Sequence, residues 1–389
     1  MQTRQELMKE IGPQLIAFAQ DLIRIKSYTC HEKDAVYRVK EEMEKLNFDQ
    51  VIIDSIGSVV GIIGNGPMKV YFDGHLDTVI AKPEEWDFDP WCGENYDGYL
   101  HGRGSVDMKS SAAASVYGAY LARELGYAEG KTIYVSCSTM EEDYEGVAVK
   151  NEFEELNFKP DYAVICEPTH LRISNGHHGR ALFEITVKGT SIHASRHQQG
   201  DNALYKMMPI IERVKAYGEE LVQADGQNGS IACTKIETDA PSINSIPGIA
   251  KLTIDRRITP EQTEEVLAAE MNAFCKDIPD TEWKVVDVAD KSWTGRDVVM
   301  HNMVNAWHTD VSNHMVQSAC EAVKGIEREP VIYRRNGCTN GWVTGGYLGA
   351  PTIIFGAGDE AGCHIVNETC PVDEILLACE FYALLEKEL

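Results

Sequence analysis

Five side chains able to hold a metal ion are spread along this sequence: His75, Asp107, Glu142, Glu167 and His364. Each stands where an apolar run gives out. His75 follows Val70-Tyr71-Phe72-Asp73-Gly74, and Asp107 lies in the glycine-rich segment Gly102-Arg103-Gly104-Ser105-Val106-Asp107, ahead of an alanine-rich stretch. Glu142 follows Glu141 just after the apolar run 132–137, Glu167 ends the run 162–166, and His364 comes after 351–355. In open α/β sheets ligands bind beyond the carboxyl ends of the strands. Imidazoles and carboxylates in such places point to a hydrolase that works with two metal ions.

Singly these residues say little. A histidine at a strand end is more often a hydrogen-bonded structural residue than a ligand, and Glu141-Glu142-Asp143 alone reads as a solvated acidic turn. Gly102-x-Gly104 lacks the third glycine of a dinucleotide fingerprint. Their order along the chain, and the elements that must carry them, give them weight.

Those elements alternate. Leu7, Ile11, Leu15, Phe18, Leu22 and Ile25 recur at helical spacing, and a second helix is expected over 32–46. Apolar runs at 51–53, 59–63, 70–72, 132–137 and 162–166 read as strands, with the small-residue stretch 110–125 as a helix packed closely on them. This predicts a doubly wound, mostly parallel α/β sheet. After Glu167 the texture changes. Strands at 181–189, 231–237, 249–255 and 282–288, with helices at 202–221 and 261–275, give the order βαββαβ of a ferredoxin-like unit. Helix 314–324, strand 351–355 and helix 372–389 then resume the first pattern. The expected organisation is one domain in two pieces, 1–178 and 291–389, with a smaller α+β domain inserted at 179–290.

The chain has 389 residues, too many for one small core. Its 43% apolar and 25% charged residues are ordinary for a globular protein, and a net charge of −25 argues against nucleic acid or an anionic membrane as partner. Eleven cysteines without a Cys-x-x-Cys pair read as buried thiols in a reducing compartment. With no secretory core near Met1, the expectation is a soluble cytoplasmic protein. The uncharged stretch 336–358 is rich in glycine and reads as loops around one buried strand rather than a membrane span.

The blocks Gly74-His75-Leu76-Asp77-Thr78-Val79, Gly102 to Lys109, Glu141-Glu142, Cys166-Glu167-Pro168-Thr169 and Gly362-Cys363-His364-Ile365-Val366-Asn367-Glu368 resemble, in order and across nearly the whole chain, the M20 family of metallopeptidases and deacylases. That family includes acetylornithine deacetylase, succinyl-diaminopimelate desuccinylase, aminoacylase and carboxypeptidase G. The resemblance implies that His75 and Glu167 bind one ion, Glu142 and His364 the other, and that Asp107 bridges them. Such nitrogen and oxygen donors suit Zn²⁺, with Co²⁺ or Mn²⁺ as substitutes. A hydroxide held between the ions would be the nucleophile, Glu141 the general base and then acid, and Asp77 the residue that orients the His75 imidazole.

In the inserted domain, Lys188 to Ser195 followed by Gly200-Asp201-Asn202-Ala203 is similar to the family's lid and dimerisation segment, which implies a catalytic domain in two pieces with an inserted lid and dimerisation domain. There His193 would stabilise the oxyanion in a partner subunit's site; by itself it reads as a local helix cap. Asn244 and Arg257 also match family positions, Arg257 as a clamp for a substrate carboxylate, with Arg256 read as a surface residue of the same strand. One departure stands out. Asn340, in Gly337-Cys338-Thr339-Asn340-Gly341, replaces an acid that lines the substrate pocket in many relatives.

The resulting expectation is a dinuclear metal amidohydrolase, active as a homodimer on a small N-acyl or N-carbamoyl amino acid. A metallo di- or aminopeptidase acting on short peptides is the alternative. A non-catalytic metal-binding scaffold is the reading from another class, and it would be signalled by loss of Glu141 or a ligand; none is lost.

Overall fold

The computed structural model describes residues 2–223 and 229–389. The chain forms two compact units, one of Met1–His177, Ala289–Met300 and His308–Leu389, the other of His178–Val288 and His301–Trp307.

The first unit is built on a mostly parallel sheet. In spatial order its strands include Gln50–Ile53, Val59–Gly64, Lys131–Cys137, Met68–Asp73, Tyr162–Ile165, Thr352–Ile354 and Ile173–His177, with Ile332–Arg335 parallel to the last. Met68–Asp73 runs parallel to both its neighbours, and Tyr162–Ile165 runs parallel to Thr352–Ile354. Alternation along Met68–Asp73 shows both faces covered: Val70 and Phe72 join the larger core, whereas Tyr71 packs with Val149, Phe153 and Phe158 in a smaller one. Helices Arg4–Arg24, Lys109–Glu124 and Val372–Glu388 contribute to the larger core, and Val147–Leu156 to the smaller. The first helix starts at a capping box, in which Glu6 N–H donates to the Thr3 hydroxyl and Thr3 N–H to the Glu6 carboxylate.

Gly74 lies between Met68–Asp73 and His75. A Cβ there would come within 3.0 Å of both Cα and Cβ of Ala112, on helix Lys109–Glu124. Any side chain there would press on this helix, so glycine suits the close approach of strand end and helix.

The second unit is ferredoxin-like. Strands Ser230–Thr238, Ile249–Ile258, Gly179–Lys188 and Thr281–Val285 lie side by side, all antiparallel. Helices Ala203–Gln223 and Glu264–Cys275 bury Met207, Ile210, Val214, Leu267 and Met271 with Phe183, Ile185, Leu252 and Ile254.

Several expectations need adjustment. The chain re-enters the second unit over His301–Trp307, where Met303 and Val304 pair with Ala181 and Arg180. The strand expected at 282–288 ends at Val285, and a hairpin of Asp287–Lys291 and Asp297–His301 follows. Ile173–His177 and Ile332–Arg335 were not expected as strands, and the stretch 336–358 holds a π-helix, Trp342–Tyr347, besides its buried strand. Among the described residues, no helix is long and apolar enough to cross a membrane.

Candidate metal centre

All five expected ligands belong to the first unit and meet at the strand ends. His75 follows the central strand, and its Nε2 lies 3.0 Å from Asp107 Oδ1, 3.6 Å from Glu167 Oε1 and 3.8 Å from Glu141 Oε2. His364 Nε2 lies 3.2 Å from Asp107 Oδ2 and 2.9 Å from Glu142 Oε2. The two oxygens of Asp107 thus face two different histidines. Ligand atoms of His75, Glu141 and Glu167 fall within 4.8 Å of one another, as do those of His75, Asp107 and Glu142.

Electrostatics show what this cluster would accept. Burial pushes the Glu141 carboxyl well above its ordinary range; Glu167, Glu145 and Glu142 push the same way, and His75 opposes them. Burial, with Asp107 beside it, raises Glu142 to about 7. Burial also acts to raise Asp107, yet hydrogen bonds from His364 and His75 bring it below the usual range. Those bonds to Asp107 and Glu142 lift His364 to about 10. Crowded carboxylates with raised affinity for protons, arranged around two imidazoles, form a site that divalent cations would neutralise. The donor set, oxygen and imidazole nitrogen without thiolate, fits them.

The supports come from far along the chain. Met140, in the left-handed region, turns the chain into the helical turn Glu141–Tyr144, whose first two residues are the acid pair. Asp77 accepts the backbone N–H of Glu141 at 2.9 Å, that of Glu142 at 3.0 Å, and the Thr29 hydroxyl at 2.8 Å. Asp77 also meets the His75 imidazole, through its main chain. Nδ1 of His75 lies 3.0 Å from the Asp77 carbonyl oxygen and 3.6 Å from its carboxylate, which is engaged by the acid pair's backbone.

Two supports had no role in the sequence reading. Glu368 accepts N–H groups of Gly104, Val106 and Asp107 and pairs with Arg103 at 2.6 Å. Arg335 pairs with Glu167 at 3.0 Å. The second signal was visible: Arg334 and Arg335 immediately precede the uncharged stretch of an acidic chain.

Asn340 is 2% exposed, donates to Asp73 at 2.9 Å and Ser138 at 3.2 Å, and accepts Gly146 N–H at 2.6 Å, so that its amide braces the scaffold.

The remaining candidates lie in the second unit. His193 is exposed, and its Nδ1 accepts Ser195 N–H at 3.2 Å, capping the short turn Ala194–Gln199. Asn244 is beside it, its carbonyl accepting Ala194 N–H at 2.7 Å. Arg257 sets its fork on Asp255, at 2.8 and 3.2 Å. Arg256, read as a surface residue, is fully buried and pairs with Glu270 at 2.9 Å.

The family model described as peptidase family M20/M25/M40 matches residues 71–387. The chain belongs to this family. Uncharacterized protein YgeY of Escherichia coli K12 is 32% identical over 382 residues, covering 97% of this chain and 95% of that protein. Succinyl-diaminopimelate desuccinylase of Corynebacterium glutamicum is 26% identical over 371 residues, 92% of each. A dinuclear metal-binding M20 peptidase of Bacillus subtilis shares the fold at a TM-score of 0.71 and 14% identity, over 97% of this chain and 98% of that one. As an M20 chain with the ligand cluster assembled, the protein is a metal-dependent hydrolase.

Proposed function

We propose that this M20 hydrolase cleaves the amide bond of a small N-acyl or N-carbamoyl amino acid, using two divalent ions, zinc by preference. The observation that carries this reading is Asp107, whose two oxygens address His75 and His364 at 3.0 and 3.2 Å, so that one carboxylate can serve two ions. His75 and Glu167 would complete one set of ligands, Glu142 and His364 the other. When bound, such a pair of ions polarises an amide carbonyl and acidifies a water. The curated relative from Corynebacterium glutamicum, a desuccinylase, supports an N-acyl substrate.

Glu141 is the base in this reading. Its backbone is fixed by Asp77 and its buried carboxyl has a raised proton affinity, suited to taking a proton from the attacking water and passing it to the leaving amine. His193 would supply the oxyanion donor across a homodimer, with Asn244 beside it. Arg257 would hold a substrate carboxylate, which must compete with Asp255. Dimerisation is supported by the second unit's edge: among the described residues Ser230–Thr238 is an edge strand, Ile236 on it is exposed, and helix Ala203–Gln223 exposes Tyr205, Met208 and Val222.

The test is to assay the metal-reconstituted protein on N-acetyl, N-succinyl and N-carbamoyl amino acids and on unblocked dipeptides, following free amine. Activity on the blocked amino acids that disappears in Glu141→Ala is the expected result. Well under two equivalents of bound metal would sink the dinuclear reading. Turnover of dipeptides alone would make the protein a peptidase.

A further inference from the structure

Arg335 is the last residue of strand Ile332–Arg335, where it pairs with His177 across a register shift. The residue is 6% exposed, and its guanidinium lies between two carboxylates. Nη1 is 3.0 Å from Glu167 Oε2, and Nε is 3.2 Å from Glu360 Oε1. The other oxygen of Glu167, Oε1, is the one turned to His75 Nε2 at 3.6 Å. Glu360 belongs to the short turn Glu360–Gly362 that leads into Cys363 and His364, the latter in the left-handed region. Gly337 leaves room for the pair: a Cβ there would stand 3.3 Å from Glu360 Oε1 and 3.4 Å from Arg335 Nε.

We infer that Arg335 is a positioning residue of the metal centre, holding one oxygen of Glu167 so that the other faces the ligand cluster, and tying the Glu167 loop to the turn that delivers His364. The inference rests on the dinuclear reading above. Arginine suits the task, because its rigid planar fork meets two carboxylates where the single point charge of lysine meets one. Outer partners of this kind matter because they orient the ligands they touch.

The test is metal binding, without turnover. Apoprotein is titrated with Co²⁺, following heat and visible absorbance, for the wild type and for R335M, R335K and E360Q, each with its fold checked by circular dichroism. Wild type should bind two ions. R335M should bind one of them about 10–100-fold more weakly, with an altered absorption band, and leave the other unchanged. R335K should fall between the two, and E360Q, which leaves Glu167 gripped, should show a smaller loss than R335M. A folded R335M with wild-type affinities and spectrum overturns the inference. Should R335M fail to fold, R335K decides, and wild-type behaviour there overturns it equally. If the wild type itself binds fewer than two ions, the dinuclear reading falls and not merely the role of Arg335.

Discussion

Glu368 holds the loop that presents Asp107: its carboxylate accepts the Asp107 N–H at 3.1 Å and the Val106 N–H at 2.7 Å. It is fully buried and faces Arg103, so one side chain from the His364 segment sets the backbone that carries Asp107. Glu368→Ala would leave Arg103 buried without its partner. A loss of about 3–5 kcal/mol is expected in urea unfolding of the apoprotein, with weaker metal binding. Unchanged apoprotein stability would contradict this account.

Glu141→Gln keeps the shape of the side chain and removes the base. Metal content by elemental analysis should match the wild type while kcat falls about 10²–10⁴-fold. Loss of metal instead would make Glu141 a ligand, a role its place 3.8 Å from His75 Nε2 permits.

The trans role of His193 has its own check. His193→Ala and Glu141→Ala proteins, each inactive, should regain activity once mixed and allowed to exchange subunits. Each exchanged dimer would contain one site with an intact base and an intact partner histidine. Exchange shown by mass spectrometry without recovered activity would leave His193 as the cap of its own turn.

Glu386 predicts a pH effect far from the metals. Burial raises its carboxyl from 4.5 to about 7, against the pull of Lys131, whose Nζ is 3.4 Å away. The folded chain therefore keeps a proton that the unfolded chain gives up near pH 4.5. The associated stability is complete below that pH and is lost as pH rises through 7. Glu386→Gln should match the wild type near pH 5 and exceed it near pH 8 by up to about 3 kcal/mol. Parallel denaturation curves at both pH values would refute this.

Asn340→Asp sets a second carboxylate where the amide now donates to Asp73 at 2.9 Å. A loss of about 1–3 kcal/mol is expected from the unpaired buried acid, read as a lower Tm, with KM unchanged. A changed KM without a change in Tm would return the residue to the substrate pocket.

The residues that cluster at the candidate centre were legible because each is announced locally, by an apolar run that stops and a donor that follows. The alternating elements that carry them were legible for the same reason. What joins those segments was not. Nothing near Glu368 in sequence signals that it meets Val106 N–H, and nothing near Arg335 signals Glu167, because both contacts form only when distant loops converge. Strand Ile173–His177 escaped notice because Ser174, Asn175 and Gly176 interrupt its apolar pattern. In the fold the Ser174 hydroxyl donates to the Gly176 carbonyl and the Asn175 amide to the Thr309 carbonyl, so polar residues sit buried at little cost. Arg256 and Arg257 show the same limit. Neighbours of one type on one strand, they diverge because only Arg256 faces inward toward Glu270.

Gly74 has a bearing on which ions the centre can accept. With Gly74 set so close to Ala112 that an added Cβ would lie 3.0 Å from its Cα, the gap between the segments carrying His75 and Asp107 is a backbone dimension. If these residues hold ions, an ion of another radius would be met by swivelling of Glu142 and His364, Glu167 being held by Arg335. Tolerance for different metals would then reside in those two side chains.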